Sequence, residues 1–422
     1  MQSWIESANL TGSQFPIQNL PYGVFRSAAG QPHCCVAIGE EVLDLAVLEE
    51  ARLIDLGASE PVFSKTSLNA FMALGPAAWR RLRLRATELL MEGGDPSLRG
   101  DEAVRTRALY RQYRAELVLP LEVSGYTDFY ASQHHAANAG AILRGDASLP
   151  PNWLSIPIGY NGRASTVVAS GSDIRRPLGQ TLPTGADLPV FGPTRRLDFE
   201  LEIGAVIGVP SKMGQPVTVA EAEEMIFGYV LLNDWSARDI QGWEYRPLGP
   251  FQSKAFATSI SPWIVCKDAL EPFRVSTPER QRRLLPYLRE PGPMLYDIGL
   301  DVVLESANDG SRTTICRTNY REMYYSAPQL IAHHAVGGCK MNVGDLIGSG
   351  TVSGPAPDSC GSLLELSWSG ARPLRLENGE TRSFLEDGDS VTLHGYASTR
   401  DYRIGFGECS GLILPSPPEP AW

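Results

Sequence analysis

Leu197-Asp-Phe-Glu-Leu-Glu-Ile-Gly-Ala-Val-Ile207 and Ile226-Phe-Gly-Tyr-Val-Leu-Leu232 are the stretches on which the reading of the fold turns. Side chains alternate along an extended chain, so Phe199, Leu201 and Ile203 point one way and Asp198, Glu200 and Glu202 the other. The second stretch is apolar throughout, as a strand buried on both faces requires. Working outward, residues 167–170 and 390–395 also read as strands, and so do 23–26, 35–39 and 41–45 near the N-terminus. Between these groups Leu68, Phe71, Met72 and Leu74, then Trp79, Leu82, Leu84 and Leu89-Leu90, recur at helical spacings. A charged segment, 101–114, is expected to be helical and to lead to a break at Leu119-Pro120. The expected class is therefore mainly β with some helix, in two domains, 1–118 and 119–422. Residues 1–14 are polar and expected to be loose at the tip. Residues 274–293, rich in Pro and Arg, read as a surface loop, and there is no internal repeat.

Composition narrows the function classes. The chain has 422 residues with Gly 41 and Pro 32, a turn-rich content, and a net charge of −11. Nucleic-acid binding needs clustered basic charge, and the densest basic stretch, 280–283, is expected to be merely solvated. Seven cysteines, an odd number without a Cys-x-x-Cys pair, argue against a disulfide framework or a zinc knuckle. No apolar run approaches the ~20 residues that span a bilayer. A soluble, cytoplasmic protein with no nucleic-acid or membrane partner is expected.

Three segments carry candidate chemistry. Glu200 and Glu202 are either the solvated side of a half-buried strand or a pair of hard oxygen donors around Mg²⁺ or Ca²⁺. If residues 233–245 are helical, Asp234, Arg238, Gln241 and Tyr245 share a face, as a polar exterior or a ligand-facing surface. Asp128 and His135 lie two helical turns apart, a spacing that suits metal ligation and base chemistry but also a structural histidine. Elsewhere bland readings prevail. His333-His334 are expected to answer a helix dipole, the Gly-rich run at 348–354 lacks a P-loop lysine, and Cys34-Cys35 read as small core residues.

Taken together, the motifs are specific. Tyr126-Thr-Asp-Phe-Tyr130, Gly159-Tyr-Asn-Gly-Arg-Ala-Ser165, Asp198-Phe-Glu-Leu-Glu202, Asn233-Asp-Trp-Ser-Ala-Arg-Asp-Ile240 and Ile260-Ser-Pro-Trp263 follow in one order, joined by Phe15-Pro-Ile-Gln-Asn-Leu-Pro-Tyr-Gly-Val-Phe25 and Gly361-Ser-Leu-Leu-Glu-Leu-Ser-Trp368. That order resembles the fumarylacetoacetate hydrolase family over nearly the whole chain. The resemblance implies a small N-terminal SH3-like β-barrel, a larger mixed β-sandwich roll and a homodimer. It also implies hydrolysis of the carbon–carbon bond of fumarylacetoacetate, an anionic diketo acid, at the last step of tyrosine and phenylalanine degradation. By the same resemblance Asp128, Glu200, Glu202 and Asp234 hold a divalent cation, Mg²⁺ and/or Ca²⁺, with Lys254 and Thr258 marking a further cation site. His135 matches the base, Glu365 the acid that orients it, and Arg238, Gln241 and Lys254 the oxyanion donors. Tyr130, Arg144, Tyr160, Gln241, Tyr245 and Thr351 match positions that contact substrate. Two residues depart from the family pattern, His134 and Asn161. Rival readings are hydrolysis or decarboxylation of a related acylpyruvate, and a catalytically silent metal-binding dimer.

Overall fold

The β-prone runs near the N-terminus assemble into one antiparallel sheet. In the computed structural model, which describes residues 1–26 and 30–419, its order is Leu109–Arg111, Glu41–Asp44, Pro32–Ile38, Tyr22–Arg26 and Glu116–Val118. Pro76 opens the helix Pro76–Leu90, where its fixed φ and missing N–H cost nothing. Leu82, Ala86, Leu89 and Leu90 form that helix's buried stripe and join a core with Val24, Val36 and Leu43. Cys34 and Cys35 are fully buried, as expected of small core residues.

Two larger sheets make the second layer pair. One is mixed, running Gly159–Asn161, Tyr126–Phe129, Leu346–Gly348, Leu201–Ile207, Ile226–Asp234, Thr258–Ile260 and Val167–Ala169, with Val265–Cys266 alongside Ile226–Asp234. The other is Arg312–Asn319, Gly299–Glu305, Ser390–Ser398, Arg403–Leu414 and Ile174–Arg175. Leu231 of the first, and Trp235 just after its strand Ile226–Asp234, lie against Gly395 and Gly411 of the second. The small N-terminal β unit and the larger mixed β roll implied by the resemblance are thus both present. Tyr22 and Ile264 exchange backbone hydrogen bonds (2.9 and 2.7 Å) where the two units meet.

Several expectations give way to packing. Met1 at the tip is exposed, but the segment behind it is docked: Ser3 is buried and its hydroxyl donates to Leu90 O at 2.6 Å, and Glu6–Asn9 forms a 3-10 turn. The charged segment is α-helical over Glu102–Ala108, Leu109–Arg111 then pairs with Glu41–Asp44 as an edge strand, and Gln112–Arg114 is a 3-10 turn. Arg280 is not merely solvated. Its guanidinium donates to Gln329 Oε1 (2.8 Å) and lies over the rings of Tyr324 and Tyr325 (4.7 and 5.3 Å), geometry favourable for a cation over an aromatic face. His333 and His334 do end a helix, Ala327–Ala335, but their rings meet the hydroxyls of Tyr287 (3.1 Å) and Thr127 (2.8 Å).

Candidate active site

Leu201–Ile207 is buried at every position, so its acids do not face solvent. Glu200, Glu202 and Asp198 all lie in the interior. Asp234 joins them from the adjacent strand Ile226–Asp234, and Asp128 from Tyr126–Phe129, which lies on the other side beyond Leu346–Gly348. Neither acid sits on a helix. The face expected across 233–245 breaks accordingly: only Arg238 and Gln241 belong to the helix Arg238–Glu244, and Tyr245 caps its end. Likewise Asp128 is on a strand while His135 is on the helix Gln133–Arg144, begun by the Ser132 cap. The turn between strand and helix, not helical periodicity, brings them to one site.

Carboxylate oxygens of Asp128, Glu202 and Asp234 all lie within 4.8 Å of one another. Gly350 N–H donates to Asp128 Oδ1 (3.2 Å) and to Glu202 Oε2 (3.0 Å). A left-handed φ of +77° at Gly350 aims that donor, a conformation an L-residue resists. At Gly348 a Cβ would stand 2.4 Å from Asp128 Oδ1 and 3.0 Å from Glu202 Oε2, so glycine there leaves room for the carboxylates. Burial, then repulsion from neighbouring carboxylates, pushes Asp128 and Glu202 well above the usual carboxylate range. Glu202 Oε1 and Asp234 Oδ1 are buried without a hydrogen-bond partner among the described residues. Crowded, orphaned hard oxygens of this kind fit a divalent cation such as Mg²⁺ or Ca²⁺.

Glu200 stands apart from that triad, held by cations. Arg238 Nη2 donates to its Oε1 at 2.7 Å, Lys254 Nζ donates to its Oε2, and His135 Nε2 lies 3.9 Å from Oε1. Burial would raise its carboxyl, but Arg238, Lys254 and His135 outweigh burial and hold it well below the usual range. Lys254 also donates to Asp234 Oδ2 at 2.6 Å, which the Tyr160 hydroxyl reaches at 2.7 Å. Burial disfavours the ammonium, yet Asp234 and Glu200 raise its pKa above the ordinary lysine value. Thr258 is buried directly opposite Asp234 in the sheet register.

His135 Nδ1 lies 2.7 Å from Glu365 Oε2. Asn138 Nδ2 donates to Oε1 (2.9 Å), and the hydroxyls of Ser353 (3.0 Å) and Ser362 (2.8 Å) donate to Oε2. Burial opposes the charge on Glu365, but His135 and these donors win and hold its carboxyl below the usual range. An ionised carboxylate only accepts, so His135 donates to it from Nδ1, and Nε2 is turned toward the Glu200 side.

Among the residues matched to substrate contacts, Tyr130 stacks edge-on against His135 (centroids 5.3 Å, 84°). Its phenol is raised by burial and Glu365, with Arg144 and Arg238 acting the other way. Arg144 is exposed and donates to Ser148 O at 2.9 Å, and Tyr245 is half-buried under the Arg246 guanidinium. Gln241 Oε1 accepts from Arg238 Nη1 at 3.2 Å. Thr351 is buried just after Gly350. His134 is half-buried beside His135, and Asn161 is exposed on the edge strand Gly159–Asn161. A cavity of about 160 Å³ bounded by Tyr160, Phe251 and Lys254 reaches this cluster. Sequence reasoning missed Asn138, Ser353, Ser362, Gly348 and Gly350. Only Asn138 carried a visible signal, lying one helical turn after His135.

Two family models account for most of the chain: "Fumarylacetoacetase N-terminal" over residues 18–120 and "Fumarylacetoacetate (FAA) hydrolase C-terminal" over residues 124–412. The chain belongs to the fumarylacetoacetase family. A fumarylacetoacetase from Bos taurus is 49% identical over 407 residues, covering 96% of this chain and 97% of the relative. Those of Arabidopsis thaliana and Homo sapiens are each 47% identical at the same coverage. Among solved structures, a fumarylacetoacetate hydrolase from Exiguobacterium antarcticum matches with TM-score 0.51 at 17% identity, covering 94% of this chain and 99% of its own. A putative HpcE protein from Mycobacterium smegmatis matches with the same score and identity, covering 93% and 99%. At that identity the two speak for the shared fold alone.

Proposed function

We propose that this chain hydrolyses fumarylacetoacetate to fumarate and acetoacetate, the terminal reaction of tyrosine and phenylalanine breakdown. The observation that carries the reading is the buried Glu365–His135 pair, 2.7 Å apart, with His135 Nε2 directed toward Glu200, Arg238 and Lys254. Near-complete coverage by fumarylacetoacetases supports the choice of substrate.

Glu365 holds the imidazole by Nδ1, and Nε2 takes a proton from water as its oxygen adds to the ketone carbonyl of the fumaroyl group. The tetrahedral oxyanion then needs donors. Arg238, Gln241 and Lys254 supply them, Arg238 and Lys254 having N–H groups beyond those spent on Glu200, Asp198 and Asp234. As the oxyanion collapses, the carbon–carbon bond breaks and acetoacetate leaves as an enolate. The proton held on His135 Nε2 returns to that carbon. Asp128, Glu200, Glu202 and Asp234 are the residues that would hold the divalent cation. When bound, it neutralises the acidic cluster and delocalises charge over the oxygens of a 1,3-diketone. Tyr130, Arg144, Tyr160, Tyr245 and Thr351 orient the acid, Arg144 supplying positive charge to a carboxylate.

A homodimer is part of this reading. Leu248 and Phe251 are 95% and 68% exposed beside the half-exposed Trp243, an apolar surface suited to a second copy. The seven free cysteines suit a reducing, cytoplasmic setting. Residues 1–118 and 119–422 are read as the two domains. The experiment is loss of the enol absorbance of fumarylacetoacetate, with and without chelator. Turnover that chelator abolishes supports the reading, and no turnover with any acyl diketo acid would favour a silent metal-binding dimer.

A further inference from the structure

Asp198 is completely buried and has no part in the chemistry described so far. Its Oδ1 accepts from Leu363 N–H at 2.7 Å, and its Oδ2 accepts from Leu364 N–H at 3.0 Å and from Arg238 Nε at 2.8 Å. The two backbone donors begin the short helix Leu363–Leu366 that carries Glu365. The third belongs to an oxyanion donor. These contacts close a ring. Asp198 holds Arg238, Arg238 Nη2 holds Glu200 at 2.7 Å, Glu200 faces His135 Nε2 at 3.9 Å, and His135 Nδ1 meets Glu365 at 2.7 Å. Glu365 rides on the helix whose start Asp198 grips.

We propose that Asp198 is a positioning residue that sets the separation between the Glu365–His135 pair and the Arg238 donor. Simple helix capping does not account for it. Ser362 already accepts the Glu365 N–H at 3.4 Å, so this helix has a cap of its own. What Asp198 adds is a charged link from the helix to a guanidinium. A fork held at Nε by one carboxylate and at Nη2 by another has one orientation left, with Nη1 turned to Gln241 at 3.2 Å. The hydrogen bonds thus register the proton acceptor against the oxyanion donor, although the two arise from distant parts of the chain. This assignment rests on the hydrolase reading above.

The test uses Asp198→Asn, Asp198→Glu and the Asp198→Asn/Glu365→Gln double variant of the full chain, assayed with fumarylacetoacetate. An asparagine has one acceptor oxygen in place of two and turns an N–H₂ on the remaining donors, so it must release either Leu363 N–H, or Leu364 N–H and Arg238 Nε together. A glutamate keeps the charge but carries it one methylene further. Both single variants are expected to lose on the order of 10- to 100-fold in kcat, the cost of a displacement of about 1 Å, with KM within about twofold. If Asp198 acts through Glu365, the double variant loses no more than Glu365→Gln alone, because residues acting as one unit are not additive. Multiplicative losses, near-normal kcat in Asp198→Asn, or single variants that no longer unfold cooperatively would each overturn the assignment. Absence of turnover by the wild-type chain would strike the hydrolase reading and this assignment with it, whereas normal wild-type turnover with an unimpaired Asp198→Asn strikes the assignment alone.

Discussion

Glu365→Gln is the substitution that bears hardest on the proposed chemistry. Three donors, His135 Nδ1, Ser353 Oγ and Ser362 Oγ, converge on Oε2, and Asn138 Nδ2 approaches Oε1. The glutamine oxygen must take the crowded position, which sets its own N–H₂ against the Asn138 amide donor. The side chain can therefore stay in place while losing its charge and one hydrogen bond. Breaking a buried charged pair by neutralising one partner costs about 3–5 kcal/mol. At about 1.4 kcal/mol per tenfold, loss of that stabilisation from the imidazolium formed during turnover lowers kcat by roughly 10²- to 10⁴-fold. KM is expected to change by only a few fold, because Glu365 does not touch substrate. Steady-state decay of the enol absorbance measures both constants, and a thermal melt checks that the variant is folded. A folded variant whose kcat falls less than about threefold would refute the pairing of Glu365 with His135 as the source of the base.

Other consequences concern the carboxylates. Chelator should abolish turnover and lower the melting temperature, and Mg²⁺ or Ca²⁺ should restore both, since a ligand of the folded state stabilises it by mass action. Lys254→Met leaves Glu200 and Asp234 without that counter-charge; chemical denaturation of the metal-free protein should show a loss of about 3–5 kcal/mol, together with loss of activity. Gly348→Ala puts a methyl 2.4 Å from Asp128 Oδ1, so calorimetric titration with divalent cation should show roughly 10- to 100-fold weaker binding, as when a metal site's supporting contacts are lost. Glu365 has a folded-state pKa below its unfolded value of about 4.3. Its contribution is therefore fully present above the unfolded pKa and lost as pH falls through the lower folded one. Wild-type unfolding free energy should decline across that acid window, and Glu365→Gln should show a shallower decline.

Much of the fold was legible because its strands are short and strongly patterned. Leu201–Ile207, Ile226–Asp234 and Ser390–Ser398 stand where alternation or apolar continuity placed them. What patterning could not say was which acidic faces were solvated. Asp198, Glu200 and Glu202 alternate as on any half-buried strand, yet the helix Leu363–Leu366 meets Asp198, Arg238 and Lys254 close over Glu200, and Gly350 meets Glu202. Helical spacing misled at Asp128–His135 and Asp234–Arg238, because in each case a strand ends and a helix begins between the two residues. Glu365 and His135 are 230 residues apart, so no local pattern could pair them, and only family resemblance did. Ser353, Ser362 and Gly350 were silent for the same reason: a serine hydroxyl or a backbone N–H announces its target only once tertiary contacts exist. Arg280 shows the reverse error, since a basic run on a Pro-rich loop looks solvated until the aromatic pair beneath it is in view.

The central claim is that water adds to one particular ketone and the adjoining carbon–carbon bond breaks. Turnover of fumarylacetoacetate in heavy-oxygen water, with both products analysed by mass spectrometry, tests it most directly. The account predicts fumarate and acetoacetate in equal amounts, with one heavy oxygen entering a fumarate carboxylate and none entering the acetoacetate carboxylate. Label in the acetoacetate carboxylate, or release of carbon dioxide in place of the two acids, would contradict it.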